Sequence, residues 1–292
     1  MTLLWLVLSV LSAFFLATAD ALTKRFFSQY PAYVMGLVRL GYALPWFLAS
    51  FLFIPLTVPT PTFWVAVACA LPLEVGAFIL YMRAIKISPL SLTLPFLSFT
   101  PVFIVFTGWL FLGERVSGGA AAGIVCIVIG TWTLHFSKGR QGILEPFRAV
   151  IRERGSLLMI LVSLIYAVTA PLGKLAIINS DPLFFGAVYF TILAVLLILL
   201  APLTDGKRTF KTLNWRSFPA GEALGLCVFL SALCHFQAVA LTNVAHMIAV
   251  KRMSILFGVL YGAWLFREEE IGERLVGSLI MIGGVFLIAR YA

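Results

Sequence analysis

Long apolar runs separated by short polar stretches cover most of the chain. Several runs reach about 20 residues, the length that a helix needs to cross a bilayer. Proline and glycine mark many of the run ends, among them Pro31, Gly113 and Pro182. The pattern predicts an all-α membrane protein with ten transmembrane helices, at 2–24, 32–56, 63–83, 89–112, 118–137, 156–178, 183–203, 217–241, 245–266 and 273–291.

The longest polar stretch, from 138 to 155, divides these helices into two groups of five. We expect two units, residues 1–140 and 155–292, each holding one five-helix repeat. Because each unit holds an odd number of helices, the second copy must insert upside down. The sequence therefore predicts two inverted five-helix repeats, an arrangement that recurs in secondary transporters with a central site.

Short matches between the halves support the repeat. "WLFLGE" at 109–114 corresponds to "WLFREE" at 264–269, an offset of 155. "ALTK" at 21–24 corresponds to "PLGK" at 171–174. Four glycines also match at an offset of 154: Gly123 with Gly277, and Gly130 with Gly284. Several matches at nearly constant offset indicate an internal repeat.

Composition agrees with this pattern. Hydrophobic residues make up 62% of the 292 residues and charged residues 11%, which excludes a soluble domain. The net charge of +9 lies at helix ends and in short loops, so it predicts membrane lipid as the partner and no nucleic acid. The four cysteines lack metal-ligand spacing, and the chain shows no catalytic constellation. We expect no enzyme, no metal and no cofactor.

The distribution of lysine and arginine predicts an orientation. Loops after odd-numbered helices hold 15 of these residues, and the opposite side holds three. The positive-inside rule then places the odd loops in the cytoplasm and both termini outside. Nothing basic precedes the first apolar run, whereas Lys24 and Arg25 follow it, so we expect a retained helix rather than a signal peptide.

The two repeats resemble a known family. Each carries "WLF" followed by an acidic residue before a glycine-rich last helix, and the segment 81–114 is similar to the fourth-helix signature of EamA-type carriers of the drug/metabolite transporter superfamily. The resemblance covers essentially the whole chain. It implies a secondary carrier with a central cavity, placed as a multi-pass protein in the plasma (bacterial inner) membrane. Many such carriers keep their termini inside, which opposes the charge bias.

Charged residues inside the predicted helices are the candidate site, because they are expensive in a membrane and usually face the bundle interior. Lys251 and Arg252 lie near the start of the ninth helix, where they bind a carboxylate or phosphate or else extend to the headgroups. In related phosphate and nucleotide-sugar translocators a similar pair contacts substrate phosphate. Three roles are open for Glu74: proton coupling, contact with a cationic group of the substrate, or an ion pair with Arg39 or with the Lys251–Arg252 pair.

Several further residues complete the candidate set. Pro95 interrupts the fourth helix, where it either lines the cavity or forms a structural kink. His235 in the eighth helix is a substrate contact or a hydrogen-bonded core residue. Asp20 is expected to pair with Lys24 four residues on, and Lys174 to serve as a membrane anchor. The glycines Gly123, Gly130, Gly277 and Gly284 predict close helix packing, within the bundle or in a homodimer.

These features favour a transporter, in the export direction, for a small polar, amphoteric or anionic metabolite that crosses by alternating access. The alternative is a flippase for a lipid or lipid-linked sugar, in which the Lys251–Arg252 pair would hold a headgroup near the interface. A laterally open groove would distinguish the second function from the first.

Overall fold

The computed structural model describes residues 3–54, 59–88, 93–133, 153–200, 218–266 and 271–292. Within these ranges the chain is helical and contains no strand. The helices are α1 Leu4–Phe27, α2 Ala32–Ser50, α3 Pro61–Ile87, α4 Thr100–Leu112, α5 Gly118–Thr133, α6 Arg154–Ile178, α7 Pro182–Leu200, α8 Phe218–Leu241, α9 Val244–Lys251, α10 Met253–Phe266 and α11 Ile271–Tyr291. One 3₁₀ helix, Phe51–Phe53, follows α2, and a second, Leu94–Phe99, precedes α4.

Length and hydropathy fit a membrane. The described residues include seven helical segments long and apolar enough to span a bilayer, and three shorter apolar helices. Local signals set their ends: Pro31 precedes α2, and Glu153 caps α6 by accepting from the Gly155 and Ser156 N–H groups. Gly113 ends α4 with a φ of 69°, a left-handed conformation that glycine adopts without a steric cost.

The fourth predicted helix, 89–112, is not one continuous helix. Leu94–Phe99 is a 3₁₀ helix and the α-helix begins only at Thr100, because Pro95 and Pro101 each lack the N–H that the preceding α-helical turn would need. Residues 89–92 lie outside the described part of the chain. The prolines therefore produce a change of helix type rather than a simple kink.

The ninth predicted helix, 245–266, is also interrupted. α9 ends at Lys251, and Arg252 occupies the turn before α10. There the Arg252 N–H donates to the Ala249 carbonyl at 3.0 Å, and the Ile255 N–H donates to the Arg252 carbonyl at 2.9 Å. Hydrogen bonds at this three-residue spacing tighten the helix locally. The fourth and the ninth predicted helix are thus each interrupted by 3₁₀ geometry.

Three helix pairs contribute much of the packing. α1 packs along α8, α3 packs along α6, and α5 packs along α11. Serine pairing accompanies the first contact, where the Ser12 Oγ donates to the Ser231 carbonyl and the Ser231 Oγ donates to the Ser12 carbonyl, each at 2.9 Å. Every one of these pairs joins a helix of the first half to a helix of the second.

Glycines allow α5 and α11 to approach closely. A Cβ on Gly123 would lie 2.7 Å from the Gly284 carbonyl, and one on Gly130 would lie 2.6 Å from the Gly277 carbonyl. No side chain fits at these distances, so the glycine faces pack within the chain. A homodimer contact, the alternative use of these glycines, stays a prediction.

Hydrogen bonds also join the two halves at each end of the bundle. At the end where α1 finishes, called here end A, Ser88 donates to Glu153. At the opposite end, called end B, the Thr60 Oγ donates to Asn179 Oδ1 at 2.9 Å. Also at end B, Asn243 Nδ2 donates to the Arg115 carbonyl at 3.0 Å.

Candidate functional site

A cavity of about 190 Å³ lies in the interior of the bundle. Its walls come from α1, α2, α3, α6, α7, α8 and α9, together with the 3₁₀ helix before α4. Six of the charged or polar residues singled out from the sequence line it: Arg39, Glu74, Lys174, His235, Lys251 and Arg252. The packing therefore brings together side chains from helices far apart in sequence.

Lys251 and Arg252 reach the cavity from the break between α9 and α10. Arg252 is only 4% exposed, and its Nε has no hydrogen-bond partner among the described residues. Lys251 is half-buried, and part of its surface faces the cavity. Their location in the cavity wall favours a role inside the bundle over extension to the lipid headgroups. Two adjacent basic residues thus line the same cavity at the turn between α9 and α10.

Glu74 lies near the middle of α3 and faces the hydroxyl groups of Thr169 and Tyr189. It makes no direct ion pair in the described part of the chain, although Lys251 acts on it electrostatically across the cavity. The predicted pairing of Glu74 with Arg39 is wrong, because Arg39 is held elsewhere. Glu74 is therefore a half-buried carboxylate that faces the cavity.

Arg39 pairs with Asp20. Its Nη1 donates to Asp20 Oδ1 at 2.6 Å, and both side chains are buried, at 6% and 2% exposure. The Tyr81 hydroxyl donates to Asp20 Oδ2 at 2.5 Å, and the Arg39 guanidinium also lies over the Tyr81 ring. The predicted pairing of Asp20 with Lys24 is wrong, because Asp20 points towards α2 and α3. Lys24 instead donates to the Ser88 carbonyl at 2.8 Å.

Aromatic side chains form the wall contributed by α7 and α8. The Phe185 ring stacks on Tyr189 and meets Phe236 edge to face, with centroids 4.9 Å apart in both cases. Phe190 adds a further ring beside Phe236. These rings are apolar apart from the tyrosine hydroxyl, so the cavity has an aromatic region beside its charged one.

Lys174 joins the two halves near end B. Its Nζ lies 2.5 Å from Glu114 Oε1 and donates to the Thr242 carbonyl at 2.6 Å. The second oxygen of Glu114 accepts from the Val244 N–H at 2.9 Å, at the beginning of α9. The expectation that Lys174 anchors the chain in the headgroup region is wrong, because the lysine lies on the cavity wall in an ion pair.

His235 and Pro95 have weaker links to the cavity. His235 lines it from α8, and its Nδ1 lies 3.1 Å from Met247 Sδ. Pro95 lies in the 3₁₀ helix before α4, but its side chain is outside the described part of the structure. Leu97 of the same 3₁₀ helix is the residue that reaches the cavity.

Sequence reasoning missed several residues of this site. Tyr81, Tyr166, Tyr189 and Thr169 also line the cavity, and each carries a hydroxyl group. Tyrosine is common at membrane interfaces, so its presence in an apolar run carries little information. Asp20 was identifiable as a single acid inside an apolar helix, and only its partner was not.

Comparison with known proteins identifies the protein family. The sequence profile of the EamA-like transporter family matches residues 3–136 and again residues 153–290, which together make up most of the chain. The chain belongs to the EamA-like transporter family. It is accordingly a multi-pass membrane protein of a transporter family with two EamA-like repeats. An enzymatic role is not part of what the family is known for.

Other comparisons add the fold. No curated protein matches this EamA-like chain. A solved structure described as "Crystal structure of protein" is similar with a TM-score of 0.74 at 17% sequence identity, and the match covers 100% of this chain and 98% of that chain. At this identity the similarity establishes the fold and says nothing about the substrate.

Proposed function

We propose that this EamA-like protein exports a small metabolite that carries a carboxylate or phosphate group. Arg252 carries the proposal. Its guanidinium is buried on the cavity wall, and it has no acidic partner among the described residues. A buried cation without a counter-ion is costly in a membrane protein, and a guanidinium fits carboxylate and phosphate with two parallel N–H bonds.

The rest of the cavity suits an amphoteric or amphipathic solute. Glu74 offers a carboxylate that is not committed to a direct ion pair, so it can accept from an ammonium or hydroxyl group of the solute. The wall around Phe185 and Phe236 offers apolar contact for the remainder of the molecule. Glu74 is also our candidate for proton coupling, because it is an intramembrane carboxylate that faces the cavity.

The architecture proposed for transport is ten spans in two inverted repeats. Two observations support it. The α1–α8 and α3–α6 contacts exchange when each helix is replaced by its counterpart in the other repeat, and the α5–α11 contact maps onto itself. The Gly123–Gly284 approach likewise maps onto the Gly130–Gly277 approach. A twofold axis in the membrane plane produces such exchanges, and a cavity on that axis is reached alternately from either side.

Movement is proposed to centre on the two interrupted helices. The 3₁₀ helix before α4 and the break between α9 and α10 lie at corresponding places, and both reach the cavity through Leu97 and Arg252. Breaks of this kind let one half of a helix tilt without the other. We place the protein in the plasma (bacterial inner) membrane, surrounded by lipid, with end A in the cytoplasm as the charge bias predicts.

The test compares two arginines. A thermal-shift screen of amino acids, organic anions and sugar phosphates on purified protein finds a stabilising solute, and counterflow of that solute in proteoliposomes measures transport. Arg252→Gln should abolish both stabilisation and counterflow. Arg83→Gln, which removes an exposed arginine on α3, is the matched control and should retain both.

Two results would contradict the proposal. Unchanged counterflow in the Arg252→Gln variant would contradict the assignment of Arg252 as the anion-binding residue. Scrambling of fluorescent phospholipid by the same proteoliposomes, without counterflow of any soluble solute, would instead favour the flippase.

A further inference from the structure

Arg39 is the second guanidinium at the cavity, and most of its hydrogen-bonding capacity is unused. A guanidinium has five N–H donors. Within the described residues only Nη1 donates to a protein acceptor, Asp20 Oδ1. No nitrogen of Arg39 is among the fully buried atoms without a partner. Since Arg39 lines the cavity, its remaining donors face that space.

Asp20, unlike Arg39, does not line the cavity and has no carboxylate oxygen without a partner. It lies behind the cavity wall, at 2% exposure, and both of its carboxylate oxygens are occupied, by Arg39 and by the Tyr81 hydroxyl. The charged and titratable groups that act on it are Arg39 from α2, Tyr81 from α3, Tyr166 from α6 and Lys251 from α9. Arg39 is the cation in direct contact with it.

Arg39 and Arg252 share a neighbourhood. Both line the same cavity, together with Tyr81 and Tyr166. An anion that enters this cavity can therefore meet the unused donors of Arg39 as well as Arg252. Arg39 thus lies between a buried carboxylate and the cavity, so that a bound anion and Asp20 can compete for the same cation.

We propose that the anionic group of the substrate competes with Asp20 for Arg39, and that Asp20 binds a proton when it loses Arg39. The inference rests on the proposed anion transport and adds its coupling. A buried carboxylate without a cationic partner is costly, so it takes a proton from the aqueous phase. Release of the anion reverses both steps. The proton and the anion thus cross together, and export runs down the concentration gradient of the metabolite itself.

The experiment measures anion binding and proton uptake together. Purified full-length protein is titrated with acetate or sulfate in weakly buffered solution near neutral pH, with a pH indicator dye; neither probe buffers there. The wild type should take up about one proton per anion bound. Asp20→Asn should bind the probe several-fold more tightly and take up no proton, because its amide competes poorly for Arg39.

Two further variants keep the test decisive. Asp20→Asn leaves a buried arginine without its counter-ion and can fail to fold, so the double variant Asp20→Asn/Arg39→Gln removes both charges. It should bind more weakly, through Arg252, and take up no proton. Asp181→Asn removes a carboxylate that caps α7 at end B and should behave as the wild type does.

The outcomes separate the coupling from the transport. Equal proton uptake in the wild type and in either Asp20 variant that folds would overturn the role of Asp20 and leave the anion site intact. Unchanged probe binding in Arg252→Gln, or no binding of either probe to the wild type, would overturn the anion site and the coupling with it.

Discussion

The two repeats agree at the helix ends and differ in the middle. Lys24 donates to the Ser88 carbonyl, and its counterpart Lys174 donates to the Thr242 carbonyl; the lysines are 150 residues apart and the acceptors 154. A lysine side chain thus makes the same kind of hydrogen bond to a backbone carbonyl in both halves. Such shared contacts maintain the architecture and carry no information about the solute.

At the level of the cavity the equivalence ends. The same offsets relate Asp20, Arg39 and Tyr81 of the first repeat to Ala170, Tyr189 and His235 of the second. The first set is an ion pair with a hydroxyl donor, whereas the second has neither an acid nor a permanent cation, yet all three of its members line the cavity. At these three positions the cavity is therefore charged on one side and uncharged on the other, and under the proposed function this difference orients an amphoteric solute.

The largest effect is expected at the glycines that both repeats share. Gly284→Leu should prevent folding, because even a Cβ there would lie 2.6 Å from the Gly123 carbonyl. Gly130→Leu should do the same by symmetry. Gly283→Leu adds the same side chain where nothing lies within 4 Å and should fold. The yield of monodisperse protein in detergent is the measurement, and unequal effects at Gly130 and Gly284 would break the equivalence.

A smaller loss of stability is expected at Lys174. Lys174→Met leaves the Glu114 carboxylate largely buried without its cation, at a cost of roughly 3 kcal/mol. The double variant Lys174→Met/Glu114→Gln should recover part of that loss, because no unpaired charge remains. Thermal unfolding of the purified proteins decides this. A double variant no more stable than the single one would show that the ion pair is not what stabilises this contact.

Tyr81→Phe tests how much the hydroxyl group adds to the Asp20–Arg39 ion pair, which only the first repeat has. It removes the donor to Asp20 Oδ2 and should destabilise the protein by about 2 kcal/mol, the range for a hydrogen bond to a charged group. Tyr291→Phe, at an exposed position on α11, is the control. If both variants unfold at the wild-type temperature, the hydroxyl adds nothing to the ion pair.

Most of the fold follows from the sequence, because apolar runs of bilayer length determine the helices and the repeat is visible in short motifs. The break between α9 and α10 does not follow. Neither proline nor glycine marks it, since the residues there are Val250, Lys251, Arg252 and Met253. Only tertiary packing, which turns both basic side chains towards the cavity, gives a reason for it.

The residues of the candidate site are also only partly predictable from the sequence. Arg39, Glu74 and Arg252 can be identified because a charge within a membrane helix is expensive. Their partners cannot, since a partner depends on how each helix is rotated against its neighbours. The four-residue spacing of Asp20 and Lys24 predicts a local pair, whereas in the structure Asp20 turns inward to Arg39.

The smallest effect is expected at the first helix of each repeat, because α1 and α6 begin differently from each other. α6 has a carboxylate cap, Glu153, whereas the first turn of α1 has no side-chain cap. Burial raises the pKa of Glu153, but hydrogen bonds from Ser88, Ser156 and the Gly155 N–H outweigh it and leave the pKa below its usual value.

A lowered pKa means that the cap stabilises the protein above the pKa of the unfolded chain, and that this contribution is lost as the pH falls through the lower folded value. Glu153→Gln should therefore cost at most about 1 kcal/mol at neutral pH and nothing in acid, where the wild-type carboxyl is protonated as well. Unfolding temperatures of both proteins measured from neutral to acidic pH should converge. Parallel curves would mean that the contribution of Glu153 does not change with pH, which contradicts a lowered pKa in the folded protein.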